Sequence, residues 1–158
     1  MIGLKNDVSS AWVKGLIMGI FLLGGGCSLA IAEMPRVSLS VGMYRLQVEA
    51  AVDLQDRMQG LMNRKTLGAD TGMVFGFPKA ERHCMWMKNT LIPLSVAFMD
   101  AGGMILNIDE KMQPQTETNH CATAPALYAL EMNQGWFAKH GIRPGMVIRG
   151  LEQLPPAW

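Results

Sequence analysis

The sequence predicts a mainly β (α+β) fold, a compact single-domain, barrel-like antiparallel sheet with two short helices. Short apolar runs recur along residues 33–158, separated by Gly, Pro, Asn and Asp. This pattern is typical of consecutive short strands rather than of long helices. The first two runs also alternate apolar and polar side chains, as half-buried strands do. Residues 33–158 suffice for one modest hydrophobic core, so we expect a single domain there.

The first predicted strands form a hairpin. Apolar residues alternate with serines over residues 37–41, Gly42 allows a turn, and a second alternating run covers residues 43–52. The tight Asp100-Ala101-Gly102-Gly103 connection predicts another hairpin. Further strands are predicted at residues 72–77, 83–87, 94–100, 104–108, 127–132 and 146–151.

Two helices are predicted between the strands. Asp53 is a good N-cap for the first. Apolar residues then follow at helical spacing and predict a core-facing side: Leu54, Met58, Leu61 and Met62. Asn133 is expected to cap a second helix through Trp136, which ends at Gly141. Residues 112–125, rich in Thr, Gln and Asn, predict a long loop.

The amino terminus predicts a signal peptide at residues 1–32. Lys5 and Lys14 give a weakly basic lead, an apolar run follows, and Ala30-Ile31-Ala32 precedes Glu33. We therefore expect a periplasmic protein cleaved after Ala32. An uncleaved membrane anchor and a lipid-modified Cys27 are the alternatives.

The charge balance argues against nucleic acid as a partner. The chain has 14 Lys and Arg against 13 Asp and Glu, and removing residues 1–32 takes away Lys5, Lys14 and Asp7. The remaining domain has no net charge and no basic stripe to neutralise phosphates. Its sequence also lacks a glycine-rich phosphate cradle, so we predict no cofactor. Membrane contact is expected only through an uncleaved signal segment.

Cys84 and Cys121 remain after cleavage, and they predict a disulfide. An even pair of cysteines in a small exported domain is more often bridged than catalytic. His120 directly precedes Cys121, which suggests an activated thiol as the alternative. A disulfide would remove that nucleophile.

Polar residues inside apolar runs predict a ligand-binding site. At least one of them is expected to face the core and to need a partner. The candidates are Arg64, Trp86, Lys88, Asn89, Thr90 and Glu131. One interpretation is a structural ion pair between Lys88 and Glu131, with Arg64 competing for the carboxylate. The other is a pocket for a small polar or anionic ligand, walled by Trp86.

Two further chemistries have weaker signals. His83, Met85 and Met87 share one side of a predicted strand, and an imidazole with two thioethers could hold copper(I). Methionines at this spacing are also ordinary core residues. An unrecognised hydrolase-like enzyme is the other alternative. The sequence contains no Gly-x-Ser-x-Gly or His-Glu-x-x-His motif in its support.

Three motifs resemble a known family. They are Gly60-Leu61-Met62, Trp86-Met87-Lys88-Asn89-Thr90 followed by Ile92-Pro93-Leu94, and Leu130-Glu131 with a later Gly141-Ile142. Together they resemble the domain of unknown function 192 family, also called uncharacterised protein family 0127. The resemblance implies a compact, mostly β, commonly exported domain without an established reaction. The family usually has an aspartate where this chain has Ser95.

These observations predict an exported, non-enzymatic module that binds a small polar ligand or an envelope protein. Copper(I) handling by His83, Met85 and Met87 and a hydrolase-like activity remain the alternatives.

The predicted cleavage can be checked on protein recovered from the periplasm. Intact-mass or amino-terminal analysis should find a mature chain that begins at Glu33, because signal peptidase cuts after small-residue triplets. A chain that begins at Cys27 with the added mass of a lipid would contradict this and support the lipoprotein alternative.

Overall fold

Within residues 34–158, which the computed structural model describes, seven strands form one curled sheet and two short strands pair separately. In chain order the elements are β1 Arg36–Val41, β2 Tyr44–Ala51, α1 Leu54–Gln59, β3 Thr71–Glu81, β4 Cys84–Met85, β5 Leu94–Met99, β6 Ile105–Met112, β7 His120–Cys121, β8 Ala126–Asn133, α2 Trp136–Lys139 and β9 Ile148–Arg149, with a final 3₁₀ turn at Leu151–Gln153. The predicted mainly β fold with two short helices is confirmed. The predicted signal peptide, residues 1–32, lies outside the described residues.

The sheet has the order β6-β5-β8-β3-β2-β1-β9, and β4 pairs with β7 apart from it. Strands β2 and β3 run parallel, and the other strand pairs of the described region are antiparallel. A bridge between Met104 and Val147 links the two edges of the sheet. The Ile105 amide donates to the Met146 carbonyl there (2.9 Å). The sheet is curled into a half-barrel, and the segments beside its two edge strands meet at this bridge.

Both predicted hairpins are present. Strands β1 and β2 pair with Leu39 opposite Leu46, and both residues are buried. Strands β5 and β6 form the second hairpin. The Asp100 carboxylate fixes its turn by accepting from the amides of Gly102 and Met104 (2.9 Å each), as turn aspartates do.

Hydrophobic clusters cover both faces of the central strands. One cluster includes Leu46, Val74 and Leu130, and the other includes Phe75 and Phe98. Successive side chains of a strand point to opposite faces. Strands β3, β5 and β8 therefore contribute to both clusters and contain nearly continuous apolar runs.

The first helix is capped as predicted but does not pack as predicted. The Asp53 carboxylate accepts from the Asp56 amide (2.7 Å). The helix ends at Gly60, whose φ of 47° suits glycine, so it has only six residues. Leu54 and Met58 are 61% and 66% exposed. The predicted core-facing side is therefore wrong, because the chain turns inward only after the helix has ended.

The second helix begins later than predicted. Asn133 belongs to β8, and its side-chain amide donates to the Gly68 carbonyl (2.9 Å). Gly135, in a left-handed conformation, precedes the helix instead. The predicted end is confirmed, because Gly141 has a φ of 65° and the Ile142 amide returns to the Phe137 carbonyl (2.9 Å).

The predicted disulfide is present and joins the two short strands. Cys84 and Cys121 lie directly opposite each other, with their Cα atoms 4.0 Å apart. The predicted strand at residues 83–87 is reduced to β4, and the predicted loop at residues 112–125 contains β7. The composition of the two segments was misleading, because strand pairing is limited to the two residues on either side of the disulfide: Cys84–Met85 and His120–Cys121.

The end of the domain also departs from the prediction. A strand was expected at residues 146–151, but only Ile148–Arg149 pairs with β1. Across residues 34–158, neither helix has the length and apolarity that a bilayer crossing requires.

Gly72 of β3 offers a test of how closely β3 and β8 approach. A Cβ at this position would lie 2.2 Å from the Glu131 carbonyl oxygen. This oxygen cannot shift away, because β8 is paired with a strand on each side. We expect Gly72→Ala to lower the free energy of unfolding by about 3 kcal/mol, as overpacking against backbone does. Urea denaturation measures this.

Gly76 of the same strand provides the matched control. Its added Cβ would meet side chains rather than backbone, those of Val52 at 3.2 Å, Leu154 at 3.6 Å and Ala157 at 3.7 Å, so Gly76→Ala should cost about 1 kcal/mol or less. Equal losses for the two variants would contradict the predicted contact.

Candidate functional site

A tight turn, rather than a strand, carries the Lys88-Asn89-Thr90 motif. The Thr90 amide donates to the Met87 carbonyl (3.1 Å), and Asn89 has a φ of 55°. Asparagine tolerates this left-handed conformation better than most residues. Met87 and Thr90 are buried, whereas Lys88 and Asn89 are exposed. The motif therefore anchors the turn in the core through its two ends.

The turn directs Lys88 away from Glu131, so the predicted Lys88–Glu131 ion pair is absent. The Lys88 ammonium lies 3.5 Å from a Glu117 carboxylate oxygen and 5.4 Å from the centroid of the Trp86 ring. Arg64 does not reach Glu131 either, because both of its terminal nitrogens donate to the Glu49 carboxylate. The side-chain amide of Asn89 instead approaches the Met62 sulfur (3.9 Å).

Three of the predicted site residues do come together. Trp86, Thr90 and Glu131 line one narrow slot between α1, its following turn and the segment after β4. Met58, Met62, Met85 and Phe75 are the large apolar residues of its lining. The free volume of the slot is about 20 Å³, enough for about one water-sized group.

Glu131 occupies the buried end of this slot. Its chain neighbours Leu130 and Met132 point into one hydrophobic cluster, so its own side chain points to the opposite face. The register neighbours on the flanking strands are Met73 and Val96. Glu131 is 3% exposed. No group among residues 34–158 hydrogen-bonds to its carboxyl.

Burial raises the pKa of Glu131 from its ordinary 4.5 to about 8. Desolvation disfavours the carboxylate, and no neighbouring donor or cation compensates within the described part of the chain. The carboxyl is therefore mostly protonated at neutral pH while the slot is empty. A buried polar side chain that points into a slot without a partner is able to receive a ligand group.

Arg57 also lines the slot, but three of its five N–H donors already have backbone acceptors. Its guanidinium donates to the carbonyls of Val52, Gly76 (3.1 Å) and Trp158 (2.9 Å). Arg57 thereby ties α1 to β3 and to the end of the domain. It leaves the Glu131 carboxyl without a cationic partner.

An apolar groove continues from the slot along the outer face of α1. Leu54, Met58, Met62 and Trp158 line it, and its free volume is about 770 Å³. Met58 and Met62 line the slot as well as the groove. The sequence analysis missed these residues as site members, because their helical spacing suggested packing against the core. The available signal was an apolar helical pattern on a helix too short to bury it, which leaves apolar side chains at the surface.

The residues of the copper hypothesis are engaged differently. The His83 ring stacks on Phe77 at a centroid distance of 3.8 Å, and its Nε2 lies 2.9 Å from the Lys79 carbonyl oxygen. Met87 is fully buried, whereas Met85 lines the slot. Residues 34–158 contain no group of three His, Cys, Asp or Glu side chains placed to hold a metal.

The disulfide occupies Cys121, and His120 beside it is held by an aspartate. The His120 Nδ1 lies 2.5 Å from an Asp109 carboxylate oxygen. Burial opposes ionisation of Asp109, but hydrogen bonds from His120 and from the Lys111 amide outweigh it and lower the Asp109 pKa. These contacts connect β7 to β6, and no motif in the sequence indicates this pair.

Ser95, at the position where the family usually has aspartate, supports α2. Its hydroxyl accepts from the Gly135 amide (2.8 Å) and donates to the Glu110 carboxylate (2.6 Å). The same carboxylate accepts from the Ala138 amide (2.8 Å). A serine and a distant glutamate together satisfy the start of the helix here.

Fold and site together define a mainly β domain with a buried carboxyl at the end of an apolar slot. Residues 37–150 match the DUF192 family, which is described as "Uncharacterized ACR". The chain belongs to this family, and the resemblance inferred from its motifs is confirmed. None of the curated proteins compared with the chain is significantly similar to it.

Two solved structures are similar over most of the domain. A protein from Sinorhizobium meliloti 1021, described as a candidate transcription regulator, is 36% identical, with a TM-score of 0.71. The alignment covers 75% of this chain and 96% of that one. A protein of unknown function from Novosphingobium aromaticivorans DSM 12444 is 31% identical, with a TM-score of 0.72 and coverage of 76% and 89%.

The raised pKa of Glu131 predicts a specific pH dependence of stability. Between pH 4.5 and 8 the native state binds a proton that the unfolded state has lost, so the free energy of unfolding falls as pH rises. The Glu131 carboxyl contributes its full stability below pH 4.5, and this contribution is lost as pH rises through 8. The loss is on the order of 5 kcal/mol.

Glu131→Gln isolates this effect from the other titrating groups. The variant should match the original protein within about 1 kcal/mol at pH 5 and exceed its stability at pH 9. Urea denaturation across the pH range measures both. Parallel pH profiles for the two proteins would show that Glu131 is not buried as described.

Proposed function

We propose that this protein is an exported, non-enzymatic binding module whose ligand inserts a polar group into the Glu131 slot. The observation that carries the proposal is the Glu131 carboxyl, 3% exposed and without a hydrogen-bonding partner among the described residues. Leaving a buried polar group unpaired costs stability. A ligand that enters the slot would remove this cost.

The composition of the slot favours binding over catalysis. Among the described residues that line it, Arg57 is the other charged side chain, and its guanidinium already donates to three backbone carbonyls. Acid–base catalysis usually combines a titratable group with a second group that activates or orients the reactant. The slot offers one titratable carboxyl inside an apolar wall.

A second depression on the surface has less support as a site. Ser38, Arg45 and Arg149 line it, with a free volume of about 340 Å³. These side chains are exposed or half-buried, so water already satisfies them and a ligand would gain little. The two arginines also face Glu152 in the same depression.

The export half of the proposal rests on the amino-terminal pattern and on the disulfide. Structural disulfides persist in oxidising compartments and are rare in the cytosol of most organisms. Cys84 and Cys121 are exposed, so a reducing compartment could open the bond. The periplasm is therefore the proposed compartment.

Binding of a soft metal ion is the second candidate function. Three methionines, Met58, Met62 and Met85, line the slot, and thioethers select copper(I). This set differs from the set inferred from the sequence, because it shares only Met85 with His83 and Met87. Silver(I), a redox-inert soft ion, is the probe that tests it without reducing the disulfide.

The proposal is tested by titrating the protein with four small probes and recording amide and indole resonances. The probes are acetamide, butyrate, n-butanol and n-butylammonium. We expect at least one of them to shift the Trp86 indole and Thr90 amide signals saturably. Glu131→Leu should abolish these shifts, and it should fold, because an apolar residue replaces an unpaired carboxyl.

Glu152→Leu is the matched control, because it removes a carboxylate from the other depression. Its titrations should resemble those of the original protein. If no probe shifts the slot signals, or if the shifts persist in Glu131→Leu, the proposed site is wrong. Saturable shifts with silver(I) alone would favour the soft-metal function.

A further inference from the structure

The slot wall is rich in electron-donating groups. Glu131 lines the slot, the thioether-bearing residues Met58, Met62 and Met85 line it as well, and so does the aromatic Trp86. Thioether sulfur is a weak hydrogen-bond acceptor, and an aromatic face attracts cations. The group that complements this lining best is a cationic hydrogen-bond donor.

Several donors at the slot already have acceptors. The Arg57 guanidinium donates to three backbone carbonyls, and the Thr90 hydroxyl lies 3.4 Å from the Lys88 carbonyl oxygen. The Trp86 ring already lies 5.4 Å from the Lys88 ammonium, whose charge Glu117 balances. Gln59, the other side-chain amide at the slot, is exposed and therefore hydrated. The unpaired buried group is Glu131, whose carboxyl offers an O–H donor while protonated and only acceptors once it has ionised.

The dimensions restrict the entering group further. A free volume of about 20 Å³ accommodates one water-sized group, such as an unsubstituted ammonium. Methyl groups on the nitrogen would not fit. The apolar groove that shares Met58 and Met62 with the slot can pack against an aliphatic stem and the chain that carries it.

We infer that the slot receives the ammonium group of a lysine side chain presented by a polypeptide partner. The ammonium pairs with Glu131, the aliphatic stem packs against the methionines, and flanking apolar residues occupy the α1 groove. Charge complementarity at the buried carboxyl selects lysine over an apolar side chain. This inference rests on the proposed function and names its ligand class.

Pairing with an ammonium links binding to proton release. The empty slot holds Glu131 protonated at neutral pH, because burial raises its pKa to about 8. The bound ammonium favours the carboxylate instead. The charged groups nearby are Arg57 of α1 and, beyond Trp86, Lys88 with Glu117, while Met73 and Val96 flank Glu131 on the neighbouring strands. The affinity should therefore rise with pH and level off above pH 8.

The test uses calorimetric titration of the full protein with three capped amino acids: Nα-acetyl-lysine methylamide, its norleucine analogue and its Nε-trimethyl analogue. The lysine probe should bind at least about tenfold more tightly than either analogue, because it alone supplies a fitting charged donor. Titration at pH 6.5 in buffers of different ionisation enthalpy should show release of up to one proton.

Two carboxylate variants separate the slot from its surroundings. Glu131→Gln should weaken binding of the lysine probe at least about tenfold and abolish proton release. Glu117→Gln removes the same charge beside Trp86 but outside the slot, and it should change the affinity less than about twofold.

Each contrary outcome is distinct. Equal binding of the norleucine or trimethyl probe would overturn the inferred ligand class, as would proton uptake on binding. If acetamide or n-butanol shifts the slot resonances while the lysine probe does not bind, the inference fails and the proposed function stands. If no probe engages the slot, both fail.

Discussion

The burial of β8 on both faces is the constraint on which the site depends. Leu130 and Met132 fill one hydrophobic cluster and Ala129 the other, so the strand cannot shift by one residue without exchanging its faces. This fixed register places Glu131 among apolar side chains. An alternating, half-buried strand would have left the same carboxylate in water with an ordinary pKa. The unusual chemistry of Glu131 therefore follows from the architecture of the sheet.

The wall of the slot depends on a second, local constraint. The disulfide joins Cys84 to Cys121, and the two residues that follow Cys84 are Met85 and Trp86, which line the slot. The Met87 amide then donates to the Thr116 carbonyl (3.0 Å), and the Met87 side chain is fully buried. A short segment with little regular structure is thus fixed at both ends, and the Trp86 side chain, 47% exposed, is held between them.

The sequence predicted the sheet better than it predicted the site. Alternation in β1 and β2 and turn residues such as Asp100 report local geometry, which nearby residues determine. The burial of Glu131 was also predictable, because it interrupts an apolar run. Its lack of a partner was not predictable: Lys88 is exposed on a tight turn in which Asn89 is left-handed and its carbonyl accepts from the distant Asn63 amide. The exposure of Leu54 and Met58 was not predictable for the same reason. Helical spacing predicts which residues share a face of a helix, but tertiary contacts decide whether that face is covered.

The rigidity around Glu131 limits how its unpaired carboxyl can be relieved. Strand β3 approaches its backbone so closely that a Cβ at Gly72 would lie 2.2 Å from the Glu131 carbonyl oxygen. The strand cannot move outward to hydrate the carboxyl without breaking its pairing with β3 and β5. The cost of burying the charged carboxylate can be relieved in two other ways: by protonation or by an entering hydrogen-bond donor. Protonation removes the charge but leaves the carboxyl without a partner. Binding sites combine rigidly held side chains with polar groups that have no hydrogen-bond partner within the protein. The apolar strand and its one acid thus have a common physical explanation: the sheet register that buries Leu130 and Met132 also buries Glu131, and under the proposed function a ligand group pairs with its carboxyl.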